Sequence, residues 1–182
     1  MKLAPIVAEL RAKCVSFSSR VHASVEFADI KERTAMSLPC AFVLPISETA
    51  DEPTFADGTQ YRQHVEQSFG VAVFVKPERA DRTGLDAFDL VEELKSEVFR
   101  ALVGWSPDDD HDAITYEGMS ILEFNRAFLA VQLEFAVTYD VTDEDTRHGV
   151  DLASLPPFDG VDLDVDAETV QAKAIFNVNG DY

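Results

Sequence analysis

The stretch YRQHVEQSFGVAVFVK, Tyr61 to Lys76, decides the fold. Val65, Gln67, Phe69, Val71, Val73 and Val75 fall on every second position, the period of a strand. After Phe69 the intervening positions turn apolar or small as well, so the second half is expected to be covered on both faces. A strand this long needs long neighbours, and the chain carries several. Val21, Ala23, Val25 and Phe27 alternate within VHASVEFADI. CAFVLPIS, Cys40 to Ser47, is a continuous apolar run read as a buried strand ending near Pro45. Ala113 to Val141 reads as two strands joined by a turn around Asn125-Arg126, with Leu129, Val131, Leu133, Phe135 and Val137 on one side of the second. Between them ETADEPTFADG, Glu48 to Gly58, has Pro, Gly and acids without periodicity and is expected to be a long loop.

Two stretches have the helical period instead. Ile6, Val7, Leu10 and Cys14 follow Pro5, which a first helical turn accepts. Phe88, Val91, Leu94, Val98 and Leu102 form a longer stripe, with Thr83 and Asp86 spaced as a capping box and Gly104 placed for a left-handed C-cap. Strands and helices together make the chain an α/β (α+β) protein.

At 182 residues the chain fits one domain with an appendage. A domain near this size buries about 70% of the surface its unfolded chain exposes and needs no disulfide or metal to hold it. Cys14 and Cys40 are far apart in sequence and suggest neither a disulfide framework nor a metal clip. The first residues are too polar for a signal peptide, and no run approaches the ~20 apolar residues that span a bilayer. A net charge of −19 argues against gripping nucleic-acid phosphates. The acids concentrate after Tyr139: Asp140 to Tyr182 holds eleven against Arg147 and Lys173. The expected division is therefore a domain over 1–140 and an acidic C-terminal extension over 141–182. In the extension, Thr142 to Gly160 reads as linker, and Val161, Leu163 and Val165 alternate with acids as a β arm that can hairpin with VQAKAIFNV.

GWSPDDDHD, Gly104 to Asp112, is the stretch that most resembles chemistry. Asp108, Asp110 and Asp112 match the first alternate acids of a calcium loop, but the sixth position needs Gly and is Ala113, and the twelfth needs Glu and is Met119. Asp162, Asp164 and Asp166 fail likewise, at Ala167 and Lys173. A solvated loop between helix and strand is the better reading. His22, His64, His111 and His148 have no metal-ligand spacing, and no nucleophile elbow, Walker A or dinucleotide fingerprint occurs. Neither a catalytic residue nor a cofactor is implied. Trp105 is expected to seal the end of the preceding helix, the alternative being an exposed anchor for a partner.

Several of these pieces occur together in one known family. Ala4-Pro5-Ile6 opens the chain, and Ala41-Phe42-Val43-Leu44-Pro45 follows. Then come Glu48 and Gly58, Gln63-His64-Val65, Phe69-Gly70-Val71 and a Gly84-led helix. The most specific phrase is Ala101-Leu102-Val103-Gly104-Trp105-Ser106-Pro107, succeeded by Tyr116-Glu117-Gly118 and Gln132-Leu133-Glu134-Phe135. Over residues 1 to 140 the chain resembles the tail terminator (tail completion) proteins of tailed bacteriophages. The acidic extension has no counterpart in that pattern.

The resemblance implies a mixed, mainly antiparallel sheet flanked by helices, and a protein that works without catalysis. It implies a homohexameric ring at the head-proximal end of the virion tail, assembled in the bacterial host cytoplasm. The ring would cap the tail tube protein, end its polymerisation and meet the head-tail connector or stopper proteins. DNA would pass through without specific binding, and no membrane is involved. On this reading the loop from Glu48 to Gln60 is mobile in an isolated subunit and orders against a neighbour or the tube, which makes Glu48, Asp51, Glu52, Phe55 and Asp57 interface candidates. Val161, Leu163 and Val165 are expected to bury against an adjacent subunit or a connector. The residues alone leave two other classes open: a calcium- or magnesium-binding module or metal-dependent enzyme built on the Asp-rich loops, and a monomeric adaptor that captures peptides on a sheet edge.

Overall fold

A computed structural model describes residues 1–23, 37–56, 60–77, 85–156, 161–167 and 170–176. The element order is α1 (Leu3–Lys13), a 3-10 turn (Val15–Phe17), β1 (Val21–Ala23), β2 (Cys40–Ala50), β3 (Thr54–Ala56), β4 (Gln60–Val75), α2 (Leu85–Leu102), β5 (Thr115–Phe124) and β6 (Leu129–Thr142). After a second 3-10 turn (Asp143–Asp145) come α3 (Arg147–Ala153), β7 (Val161–Ala167) and β8 (Val170–Phe176). The chain divides into two compact units, Met1–Thr142 and Asp143–Tyr182.

The expected α+β architecture is what the first unit has. Its sheet runs β1-β2-β4-β6-β5, with β3 also on β4. Only β1 and β2 are parallel; every other pair is antiparallel. The central strand is the one on which the sequence reading turned: β4 pairs with β6 from Arg62↔Thr142 to Val75↔Leu129 and with β2 on its other side. Phe69, Val71, Val73 and Val75 point to one face and are buried there with Leu129, Val131, Leu133, Phe135 and Val137 of β6. Both helices cover this face. Ile6, Val7 and Leu10 of α1 and Ala87, Val91, Leu94, Val98, Ala101 and Leu102 of α2 join this core, each residue having another of its set three or four positions away so that one helical stripe meets the sheet. Four rings anchor it. Phe135 stacks on Phe69 at 5.4 Å, with Phe99 at 6.3 Å and Tyr116 at 5.6 Å.

The far half of β4 is covered on its second face too. Ala72 and Phe74 pack there with Cys40 and Phe42 of β2 and Ala130 of β6, and Leu38, Leu44 and Phe128 lean on the group. That explains why the sequence turns apolar on both sides after Phe69. Both cysteines are buried. Burial, reinforced by the charges of Glu97 and Glu9, pushes the Cys14 thiol up to about 12; burial raises Cys40 to about 11 although Arg20 pulls the other way. Neither is a thiolate at neutral pH, which is the behaviour of a core thiol.

Helix α2 ends as its sequence specifies. Gly104 takes φ 81°, the left-handed region where a side chain is strained. Its N–H donates to the Ile114 carbonyl at 2.9 Å, and the Ile114 N–H returns to Trp105 O at 2.9 Å, tying the helix end to the start of β5. Trp105, partly buried, packs against the core. The sealing role expected of it is the one it has.

Three expectations need correction. First, β2 does not stop at Pro45 but runs on to Ala50. β1 covers only Ala41 to Val43, so at Pro45 β2 is an edge strand among the described residues, and the register slips between Pro45 and Ser47. A missing N–H costs little at an edge or a bulge. Second, the stretch read as a long loop over Glu48 to Gly58 is strand in most of its described part: Glu48, Thr49 and Ala50 pair with Gln67, Glu66 and Val65, and Thr54 to Ala56 pair with Arg62 to Gln60. The long partner strand organises a segment that has no period of its own. Third, the linker read over Thr142 to Gly160 contains the last residue of β6 and helix α3. Thr146 caps that helix, its hydroxyl accepting from the Gly149 N–H at 3.2 Å. The strand read over Val21 to Ile30 is described as far as Ala23; Val25, Phe27, Thr83 and Gly84 lie outside the described residues. In the second unit β7 and β8 form the antiparallel hairpin read from the alternation, with Val161↔Phe176, Leu163↔Ala174 and Val165↔Ala172 in register.

Candidate assembly interface

The sheet continues past its helix-covered core. Ser47 to Ala50 of β2, all of β3, Gln60 to His64 of β4 and Asp140 to Thr142 of β6 make a sheet end with mostly exposed side chains. It is ordered by polar contacts. The Asp51 N–H donates to His64 O at 2.9 Å, Gln63 Nε2 to Asp51 O at 2.8 Å, and Thr54 Oγ1 to Arg62 O at 3.1 Å. Gln67 donates to the Glu48 carboxylate. On the strap formed by β3, Phe55 meets Tyr61 edge to face at 5.8 Å, yet Phe55 remains 60% exposed.

The structure therefore brings Glu48, Asp51, Glu52 and Phe55 to one end of the sheet, Glu48 in β2, Phe55 in β3, and Asp51 and Glu52 in the short connection between them. Asp57 lies outside the described residues. Val161, Leu163 and Val165 occupy alternate positions of β7 in the other unit.

Sequence reasoning missed the polar node beside them. Asp140, the partner of His64 in register, accepts from Arg62 Nε at 2.9 Å and faces His64 Nδ1 at 3.1 Å. The hydrogen bonds from Arg62 and then His64 hold its carboxyl below the usual carboxylate range. Nothing in one sequence pairs residues 76 or more apart. The node contributes stability above the unfolded-state pKa of Asp140, and that contribution is lost as pH falls through its lower folded value. The pair is exposed, so the gain is small. A carboxyl NMR titration is expected to place Asp140 below ordinary aspartates, and Arg62→Ala to bring it back up; an unmoved midpoint would mean that Arg62 does not hold it.

The Asp-rich stretch is a loop, and two of its acids build that loop. Asp108 accepts from the N–H groups of Asp110 and His111, both at 3.1 Å, and contacts His111 Nδ1. Asp112 accepts from Thr138 Oγ1 at 2.7 Å while its N–H donates to Thr138 O. The His111 ring lies 4.9 Å from that of Tyr139. Among the described residues no three His, Cys, Asp or Glu side chains converge as metal ligands would.

A sheet with an ordered, exposed end, over a core closed by a helix that terminates in Gly104-Trp105, is the setting in which the comparison with known families counts. The family model for phage tail terminator proteins matches residues 1–146. The chain belongs to the phage tail terminator family. No curated protein matches it well enough to count as a relative. Terminator family members are structural proteins, and membership assigns the chain a role in phage tail assembly, a place in the virion tail, and interactions with other tail and head proteins. No helix among the described residues is long and apolar enough to cross a membrane. The terminator match covers all of β1 to β6 and both helices over the sheet.

Proposed function

We propose that six copies of the chain close into a ring that caps the head-proximal end of the tail tube, stops its polymerisation and offers its other rim to the head-side connector or stopper. The observation that carries this reading beyond family membership is the ordered sheet end bearing Glu48, Asp51, Glu52 and Phe55. An aromatic left exposed on a hydrogen-bonded strap is a contact held ready for a partner. A capping ring needs two unlike faces, one complementary to the tube and one refusing another tube subunit. The short, acid-rimmed β3 strap suits the first, and Asp57 would extend it. The charge of −19 per copy supports free passage of DNA, since acids repel phosphates from a channel wall. The hairpin with Val161, Leu163 and Val165 would act as an arm seated on an adjacent subunit or a connector, following the domain at 1–140.

Electron microscopy of the purified protein, alone and with isolated tail tubes, tests the proposal. Rings of six and capped tube ends are expected from the whole chain. A chain ended at Thr142 should keep its fold and lose ring or docking stability. Particles that stay single in the presence of tube ends would defeat it, and a truncated chain that fails to fold would place the extension in the domain's own core.

A further inference from the structure

Strand β5 is the outer strand on one side of the sheet and pairs only with β6 among the described residues. Its last six residues carry four large apolar side chains that remain open to solvent: Met119 at 40%, Ile121 at 55%, Leu122 at 43% and Phe124 at 50%. Its register against β6 slips twice, between Tyr116 and Gly118 and between Ile121 and Glu123. A bulged edge is a poor template for adding another strand. What this edge offers is therefore its apolar side chains, and a cluster of them on a soluble surface marks a contact site.

Charge indicates what covers it. β5 itself carries Glu117 and Glu123 and no Lys or Arg, four aspartates lie in the loop before it, and Arg126 stands in the turn beyond Phe124. The opposite edge of the same sheet is β1, with α1 beside it, and there the balance is reversed. Met1 to Ala23 holds Lys2, Arg11, Lys13 and Arg20 against Glu9, and Glu97 of α2 also reaches this edge, where it accepts from Ser16, in a chain whose net charge is −19. Val15, in the turn after α1, adds an apolar point that is 80% exposed. A ring is closed by a heterologous contact, one surface of each copy meeting a different surface of the next. Two opposite edges of one sheet, unlike in charge and each with exposed apolar residues, meet that requirement.

We infer that the β5 edge of one copy, through Met119, Ile121, Leu122 and Phe124, seats on the α1–β1 edge of the next copy around Lys13 and Val15. The inference rests on the ring reading above and assigns its seam. Its test uses Ile121→Asp and Val15→Asp, each made in the whole chain, confirmed as folded by circular dichroism, and followed by sedimentation velocity. Both side chains are exposed, so the folded subunit is expected to survive each change. Each variant alone should raise the ring's dissociation concentration by about 30-fold or more, the size of a hot-spot loss. Mixed together they should form dimers that neither forms alone, because one retains an intact β1 edge and the other an intact β5 edge. Hydrogen exchange on the unaltered protein provides a second readout: amides of residues 119–124 and 13–15 should slow on assembly. Rings that form normally from either variant, a mixture without dimers, or unchanged exchange at both edges would overturn the seam while leaving the ring. An unaltered protein that never leaves the monomer would remove the ring reading itself.

Discussion

Phe135→Ala is expected to cost about 3–5 kcal/mol of unfolding free energy, the range for removing a large aromatic from a closed core. Phe135 is fully buried, lies at the middle of β6 and touches rings from β4, α2 and β5. Those neighbours belong to three different elements, two of them strands of the same sheet and one a helix packed on it, so they are poorly placed to collapse into the space left. A cost of this size is a large share of the 5–15 kcal/mol that holds a typical domain together. Urea denaturation followed by circular dichroism measures it. A loss under about 1 kcal/mol would mean that the site relaxes and that the four rings are not the keystone of the core.

The second large effect is on assembly rather than stability. Deleting Asp51 to Asp57 removes the β3 strap while leaving β2 to Ala50 paired with β4 at Val65. The subunit loses the exposed β3 pairing, the hydrogen bonds of Asp51 and Thr54, and one aromatic contact, Phe55 with Tyr61, worth about 0.5–1.5 kcal/mol beyond its area, all outside the helix-covered core. The folded domain should therefore persist with a slightly lower melting temperature. Capping of tube ends, counted in micrographs against protein concentration, should require at least about tenfold more protein, equivalent to about 1.4 kcal/mol of lost contact. Unchanged capping would take Asp51, Glu52 and Phe55 out of the interface and leave the exposed aromatic without a role.

The elements that could be read from one sequence were those with a local cause. The alternation through Val65 to Val75 and Leu129 to Val137 marks a strand because period two is a property of the backbone. The stripe from Val91 to Leu102 and the glycine after it mark a helix and its end for the same kind of reason. Motif failure at Ala113 and Met119 was equally local, and the Asp-rich stretch is indeed a loop. Pro45 misled because its meaning depends on whether the strand beside it has ended, which the sequence of β2 does not contain. Glu48 to Ala56 misled because its order comes from β4.

The interface candidates divide along the same line. Glu48, Asp51, Glu52 and Phe55 belong to a stretch that has no period and reads as loop, and they stand at one end of the sheet. The MSILEF run of β5 was taken as an ordinary strand, although its consecutive Ile121 and Leu122 already break alternation. Exposure was needed to show that the strand is an edge.

Sequence alone determined the long strands β4 and β6, the helix α2 and the place where α2 stops. Those elements follow from dihedral preference, side-chain period and local caps, which act over a few residues. The resemblance to phage tail terminators rests instead on particular residue phrases such as Gly104-Trp105-Ser106-Pro107. Tertiary structure decided which strands are neighbours, which apolar residues stay in water, and how Asp140 came to face Arg62 and His64. Those depend on pairing across long separations, where a strand's role is set by what lies beside it in space.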